Sequence, residues 1–380
     1  MTDVSISILG GGIGGLCAAL ALRQVGFEPT VYERTDELRP VGSGIWIPPN
    51  GMAALEVLGV AEAVEERGVA LDRTVIRTTT GRTLTSTDLR ARASAVGLER
   101  TMVSIRRSAL QDVLVDRLPN DSLELGMEGA AVDPERPAIR FADGTERTAD
   151  LVVGADGIRS ITRRTLFPEQ SVRYAGGVTY RGLVETPLPD RASRDATAIW
   201  GRSKRFGYSA VGRNRAWWFA VLPADAPDEV PELGADELAE RYDDFPDPVS
   251  DLVAATDRLV RTPLTDLPPL ERWHRNRVTL LGDAAHAMTP NLAQGSAQAM
   301  EDAVVLAACL REQGVGRRAL REYESRRKPR ADRISRQSRL QGRLGQLEHP
   351  ILIGVRNAVF RLMPSAVMGR QVERQFAVDF

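Results

Sequence analysis

Lysine is nearly missing from this chain: Lys204 and Lys328 are the only two among 50 basic residues, and arginine supplies the rest. Acidic residues number 51, so the formal net charge is -1 and no global field draws the protein to nucleic acid or to an acidic membrane. Cysteine is as scarce. Cys17 and Cys309 lie in Ala/Leu-rich stretches, cannot build a disulfide framework, and read as small core residues in a reducing compartment. Three histidines, His274, His286 and His349, show no ligand spacing, so no metal site is expected and His286 reads as a structural hydrogen-bonding residue. No Gly-x-Ser-x-Gly elbow and no Walker loop occur, which leaves hydrolase and phosphotransferase chemistry without a site. No apolar run approaches about 18 residues, and the N-terminus enters a patterned segment without a basic leader or cleavage site. A cytoplasmic, unexported protein without integral membrane contact is the expectation.

What is present is enough apolar material for a core: 43% of 380 residues are hydrophobic and 27% charged, a length that favours two or three structural units. Val4, Ile6 and Ile8 alternate and end at Gly10, after which Ile13, Leu16, Cys17 and Leu20 fall at helical spacing. With a second strand over Pro29 to Glu33, this is one βαβ unit. Residues 73 to 87 are β-branched around a Gly81-Arg82 turn, residues 138 to 153 hold a hairpin with Asp143-Gly144 at its turn, and residues 172 to 222 are strand-like throughout. From Pro223 to Pro269 the chain is rich in Pro and Asp, with one helix expected near Glu237 to Tyr242. A short strand at 278 to 282 and a helix from about 296 to 313 follow. Residues 317 to 343 carry ten arginines. Because Arg327, Arg330, Arg333, Arg336 and Arg339 recur every third residue, they drift around a helix, with Ile334, Leu340, Leu344 and Leu347 as its apolar side. A solvated, core-packed helix is expected there, not a nucleic-acid patch.

The chemistry resides in glycine loops. Gly10-x-Gly12-x-x-Gly15 sits between strand and helix, where Gly10 permits the tight turn, Gly12 lets backbone amides approach a pyrophosphate and Gly15 lets the helix pack closely. Glu33, ending the second strand, suits ribose hydroxyls and repels a 2′-phosphate, which fits FAD or NAD better than NADP at this site. Two further strand ends, Asp156-Gly157 and Gly282-Asp283-Ala-Ala-His286, repeat the design. A second acidic turn, followed by Gly295 at a helix N-terminus, supplies groups for a longer ligand with a polyol chain.

In these ordered motifs, from Gly10 to about Arg339, the sequence resembles the single-component, FAD-dependent aromatic hydroxylases with the para-hydroxybenzoate hydroxylase fold. Within them it is nearest the branch of urate hydroxylase, zeaxanthin epoxidase and hydroxynicotinate monooxygenase. The resemblance implies that Gly12, Gly14, Gly15, Glu33 and Arg34 hold the ADP half of FAD, and that Val41 to Trp46, including Gly44, Ile45 and Trp46, line the flavin ring, with Pro49-Asn50 after them. It implies that Arg107 meets the pyrophosphate or ribityl region, that Asp156 takes part in FAD and nicotinamide binding, that Asp283 bonds the ribityl chain, and that Gly295, Ser296 and Ala297 offer amides to the flavin pyrimidine edge. One departure is Ala293-Gln294-Gly295, where the family has Gly-Gln-Gly. On the substrate side, Arg205 matches a substrate-binding arginine, Trp217 falls where the urate branch has Tyr, and Tyr180 and Tyr208, with Arg181 and Trp200, are further candidates that alternating strands could equally bury as core.

The expected fold is α/β: a Rossmann-like FAD domain made of residues 1 to 72, 101 to 171 and 266 to 345, an antiparallel substrate sheet from 73 to 100 and 172 to 265, and a C-terminal helical segment from 346 to 380. The expected activity is that of a monooxygenase. NADH or NADPH reduces FAD, dioxygen gives a flavin hydroperoxide, and an electron-rich aromatic, heteroaromatic or alkene substrate is hydroxylated or epoxidised, with no side chain as nucleophile. The alternative is a dehydrogenase or reductase on the same flavin site, without oxygen insertion.

Overall fold

A computed structural model describes residues 4 to 38, 43 to 229 and 232 to 380. The strand Ile6–Leu9 is the hub of a six-stranded sheet. It pairs in parallel with Thr30–Tyr32 on one side and Leu151–Gly154 on the other, and Val278–Leu280 continues the parallel run beyond Leu151–Gly154. All four residues of Ile6–Leu9 and of Leu151–Gly154 are buried, as befits strands covered on both faces. Helix Ile13–Gln24 packs against helix Gly295–Gln313, so the N-terminal and late segments of the chain close one core. Cys17 and Cys309 are free thiols buried in that core.

A second, seven-stranded sheet runs in the order Val260–Asp266, Arg173–Val184, Arg215–Pro223, Arg205–Gly212, Asp195–Trp200, Arg73–Thr78, Thr83–Asp88. It is antiparallel except where Asp195–Trp200 lies parallel to Arg73–Thr78. One face carries a separate core capped by the helices Ala235–Glu240 and Val249–Ala254. The other face looks toward the first sheet across a cavity. A three-stranded sheet, Gly44–Ile47, Met102–Arg106 and Val69–Leu71, lies between the two.

Two elements hide in the Pro/Asp-rich stretch. Val249–Ala254 is a helix whose Val249, Leu252 and Val253 are buried at i, i+3 and i+4, a pattern too short to stand out from its surroundings. Val260–Asp266 is a strand despite Pro263, tolerated because this is an edge strand with a single neighbour to bond. The arginine-rich segment is one helix, Arg317–Gly345, but it is not simply solvated. Arg327 is buried on Asp302 and Glu301, Arg330 reaches Glu301 at 2.7 Å, and Arg339 reaches Asp266 at 2.8 Å. Its apolar side is also split: Ile334 is core, whereas exposed Leu340 and half-buried Leu344 line the cavity. Two further helices, Pro350–Leu362 and Ser365–Phe376, complete the chain.

Candidate active site

The cavity is about 790 Å³, in the upper part of the range of about 300 to 1,000 Å³ for small-molecule sites. One end is made of backbone. Gly10 has φ +112°, and a Cβ at Gly15 would overlap the Gly10 carbonyl oxygen, so strand and helix meet at a separation only glycine permits. Gly12 and Gly14 line the cavity, and nothing stands within 4 Å of where a Gly12 side chain would begin. Glu33 accepts a hydrogen bond from the Gly11 amide at 2.7 Å, and Gln111 donates to the Gly11 carbonyl at 3.0 Å. These two side chains hold the loop from both sides; Gln111, on helix Arg107–Val115, carries no sequence signal. Arg34 is exposed and outside the cavity wall.

Further along, Gly44, Ile45 and Trp46 line the wall; Val41 and Gly42 lie outside the described residues. Arg107 and Asp283 face the cavity, and neither side chain has a hydrogen-bond partner among the described residues. Burial pulls the Arg107 pKa down, and the field of Asp283 offsets part of that. The turn that presents Asp283 is fixed from behind: Asp302 accepts from the Gly282 amide at 3.0 Å, meets His286 Nε2 at 2.6 Å and accepts from Arg327 Nε at 2.7 Å. His286 is therefore a structural partner of a buried carboxylate. Burial pushes the Asp302 pKa up, but His286 and Arg327 outweigh it and hold the carboxyl at about 2.

Gly295 and Ser296 line the cavity at the N-terminus of Gly295–Gln313, where free amides and the helix dipole favour negative charge. Ala297 is fully buried against Gly51 and does not reach the wall. The preceding loop rests on a buried amide cluster, with Asn50 donating to Gln294 at 2.9 Å and to Glu301 at 2.7 Å. Ala293 has φ +55°, the left-handed conformation that glycine adopts freely. Asp156 is engaged by the chain itself. Its carboxylate accepts from Ser160 Oγ at 2.5 Å and from the Ile161 and Thr162 amides at 2.8 and 3.1 Å, so it caps helix Ile161–Leu166, and neighbouring Gly157 lines the cavity instead.

The other end is built by the seven-stranded sheet. Strand alternation sends Thr179, Arg181, Arg205, Trp217 and Phe219 to the cavity. Tyr180 and Tyr208, expected as substrate candidates, point the opposite way into the second core. Trp46 and Trp217 meet edge-on with ring centroids 5.4 Å apart. A pair of buried serines pins them: Trp46 Nε1 donates to Ser209 Oγ at 2.7 Å, Trp217 Nε1 donates to Ser104 Oγ at 3.1 Å, and the two hydroxyls are 2.8 Å apart. The Trp217 indole also lies where a Gly44 side chain would be, so that glycine is needed for the ring. Arg205 is 6% exposed, donates from Nη1 to Asn291 Oδ1 at 2.7 Å and leaves Nε without a partner. Burial draws its pKa down to about 10, partly offset by Tyr242, so it stays charged at neutral pH. Arg181, likewise without a side-chain hydrogen bond among the described residues, is shifted down by burial and by Arg107.

Past this ring-sized end the cavity turns apolar. It runs between the hairpin Arg73–Thr78/Thr83–Asp88 and the C-terminal helices, along Val75, Leu89, Phe360, Met363, Met368 and Phe376. Thus one chamber holds an anion-binding helix end, an acid and two unspent guanidiniums, an indole pair and an apolar extension. The donor set fits a flavin dinucleotide: open glycine backbone for a pyrophosphate, Arg107 for its charge, Asp283 for polyol hydroxyls and amides for the ring edge.

Comparison with known proteins agrees. Residues 1–338 match the family model described as FAD binding domain. The chain is 38% identical over 375 residues to the aurachin C monooxygenase/isomerase of Stigmatella aurantiaca, covering 96% of this chain and 95% of that one. It is 33% identical to the 2-heptyl-3-hydroxy-4(1H)-quinolone synthase of Pseudomonas aeruginosa PAO1, with 98% of each covered. Among solved structures, Klebsiella pneumoniae HpxO complexed with FAD and uric acid superposes with a TM-score of 0.89 at 29% identity, covering 99% of this chain and 97% of that one. Fold, cavity and relatives together make the chain a member of the FAD-dependent aromatic and heteroaromatic monooxygenases of the para-hydroxybenzoate hydroxylase fold.

Proposed function

We propose that this monooxygenase hydroxylates a 4-quinolone-type heteroaromatic ring bearing an aliphatic tail. The observation that carries the reading is the apolar extension of the cavity beyond the Trp46/Trp217/Arg205 end, in a direction a compact purine has no atoms to fill. Two relatives support it, since their names denote a quinolone synthase with a heptyl chain and an aurachin monooxygenase. Trp217, in place of the urate branch's Tyr, adds apolar surface where a fused ring would lie.

In this reading Gly12, Gly14, Arg107, Asp283, Gly295 and Ser296 hold FAD. When bound, FAD would carry electrons from NADH or NADPH to dioxygen, one atom of which enters the substrate while the other leaves as water. Arg205 stabilises an oxyanion at the substrate's 4-position, which raises electron density on the adjacent ring carbon, the position attacked. Asn291 orients the Arg205 guanidinium. The serine-pinned indoles fix the ring plane and keep water from the reacting carbon. The apolar extension takes the tail; each buried methylene contributes about 0.8 kcal/mol, so two of them tighten binding about tenfold.

The test is flavin bleaching by NADH and NADPH under nitrogen, followed by aerobic product analysis, with 2-heptyl-4(1H)-quinolone, unsubstituted 4-quinolone and urate. Acceleration by the heptyl compound, with a product heavier by one oxygen and a KM far below that of the tailless ring, is the expected result. Preference for urate, or equal KM for the two quinolones, would overturn it.

A further inference from the structure

We propose that the C-terminal helical pair docks this enzyme on an anionic lipid surface, with the mouth of the cavity turned to the lipid. Its use, the delivery of a tailed substrate, rests on the proposed function; the docking itself is read from the surface.

Helix Pro350–Leu362 exposes Ile351 (69%), Val355, Val359 and Leu362 (78%) at spacings of four, four and three residues, a single apolar stripe turned to solvent. Leu352 and Val367 widen it. The opposite side of the helix packs inward: Arg356 lies over the Trp200 ring at 5.3 Å, and Phe360 meets that ring edge-on. A folded chain keeps so much aliphatic surface out only where something apolar covers it. The helix is about 20 Å long at 1.5 Å per residue, short of the roughly 30 Å hydrocarbon core, and the next helix turns away by 91°. Such a pair lies in the plane of a bilayer interface instead of crossing it.

Charge selects the occupant. From residue 349 to 372 there is no Asp or Glu, while Arg361 and Arg370 are exposed. Against a second copy in a two-fold contact this patch would meet its own like charge, whereas anionic headgroups complement it. The patch is also continuous with the cavity. Val359 and Leu340 are both exposed and part of the cavity wall, which marks the mouth at the edge of the stripe. A tailed substrate dissolved in lipid reaches the cavity there without crossing water.

The experiment is flotation of the full-length, FAD-loaded protein with vesicles of phosphatidylcholine alone or with one-third phosphatidylglycerol. Binding to the anionic vesicles that weakens with salt is expected. Ile351→Ser/Val355→Ser/Leu362→Ser, none of which lines the cavity, loses about tenfold or more of that binding with flavin content unchanged. Arg361→Gln/Arg370→Gln loses about fivefold per arginine on anionic vesicles and nothing on neutral ones. Failure of the wild type to float, or flotation unaltered in both variants, overturns the proposal. So does a concentration-dependent dimer abolished by the triple substitution, which would assign the face to a second copy. Turnover of 2-heptyl-4(1H)-quinolone added in buffer separates the two readings: a chain that floats without hydroxylating keeps the docking and loses the substrate, and the converse result does the reverse.

Discussion

The two ends of the cavity are built on opposite plans. The glycine end uses backbone amides at strand-to-helix turns, contributed by contiguous motifs and backed by buried polar groups such as Asp302 and Asn50. The other end uses side chains from alternate positions of antiparallel strands, closed by helices from the far C-terminus. The first plan tolerates no change of backbone and suits a cofactor common to many enzymes. The second can be refitted one side chain at a time, which is where a substrate preference can vary.

The sharpest way to break the first end is Gly15→Ala. The new Cβ must displace the Gly10 backbone, so we expect a loss of about 3 kcal/mol and an almost flavin-free protein, read by the melting temperature and the visible flavin band. A protein that melts and binds FAD normally would mean that the loop is softer than its packing indicates.

A pair of substitutions sets the two ends against each other. Asp283→Ala is expected to lose FAD by tenfold or more in Kd while the fold persists, because polyol hydroxyls lose a charged acceptor worth about 1.5 to 3 kcal/mol. Arg205→Gln is expected to keep FAD and lose about 30-fold in kcat/KM, from a similar charge-assisted bond of about 2 kcal/mol. Fluorescence titration with FAD and steady-state kinetics check both. If Arg205→Gln sheds flavin, the division between the ends fails.

Acid tests the support behind the glycine end. The Asp302 carboxyl is held at about 2, below its ordinary 3.8, so its contribution is complete above roughly pH 4 and is lost as pH falls toward 2. Asp302→Asn should flatten that part of the acid-unfolding curve and lower neutral-pH stability by about 2 kcal/mol, measured by denaturant melts across pH. The smallest effect belongs to Ala293. Its left-handed φ of +55° is strained by roughly 1 kcal/mol, so Ala293→Gly should leave stability unchanged or raise it slightly and loosen the loop before Gly295, seen as faster local hydrogen exchange.

Legibility followed the same division. Gly10 to Gly15 with Glu33, and Gly282-Asp283, are local: each needs only its own strand, turn and helix, so their spacing reveals them. Asp156 shows the limit of that reasoning, because a carboxylate at a strand end serves equally well to cap the following helix, and Ser160 and Thr162 claim it. Tyr180 and Tyr208 show another. Both faces of the seven-stranded sheet are covered, one by a core and one by the cavity, so alternation says that neighbours part but not which goes where.

The sequence by itself determined the class of fold and a dinucleotide-binding loop, since strand-turn-helix motifs carry their geometry in local backbone and in the absence of a Cβ; the monooxygenase family came from its resemblance to known sequences. Tertiary structure alone decided that Arg327 is buried between two acids and that Ser104 and Ser209 pin the indoles. It alone decided, too, that the C-terminal helices close an apolar extension while turning a stripe outward. Those outcomes depend on which distant surfaces meet, and helical or strand periodicity records a side chain's direction without naming what it will face.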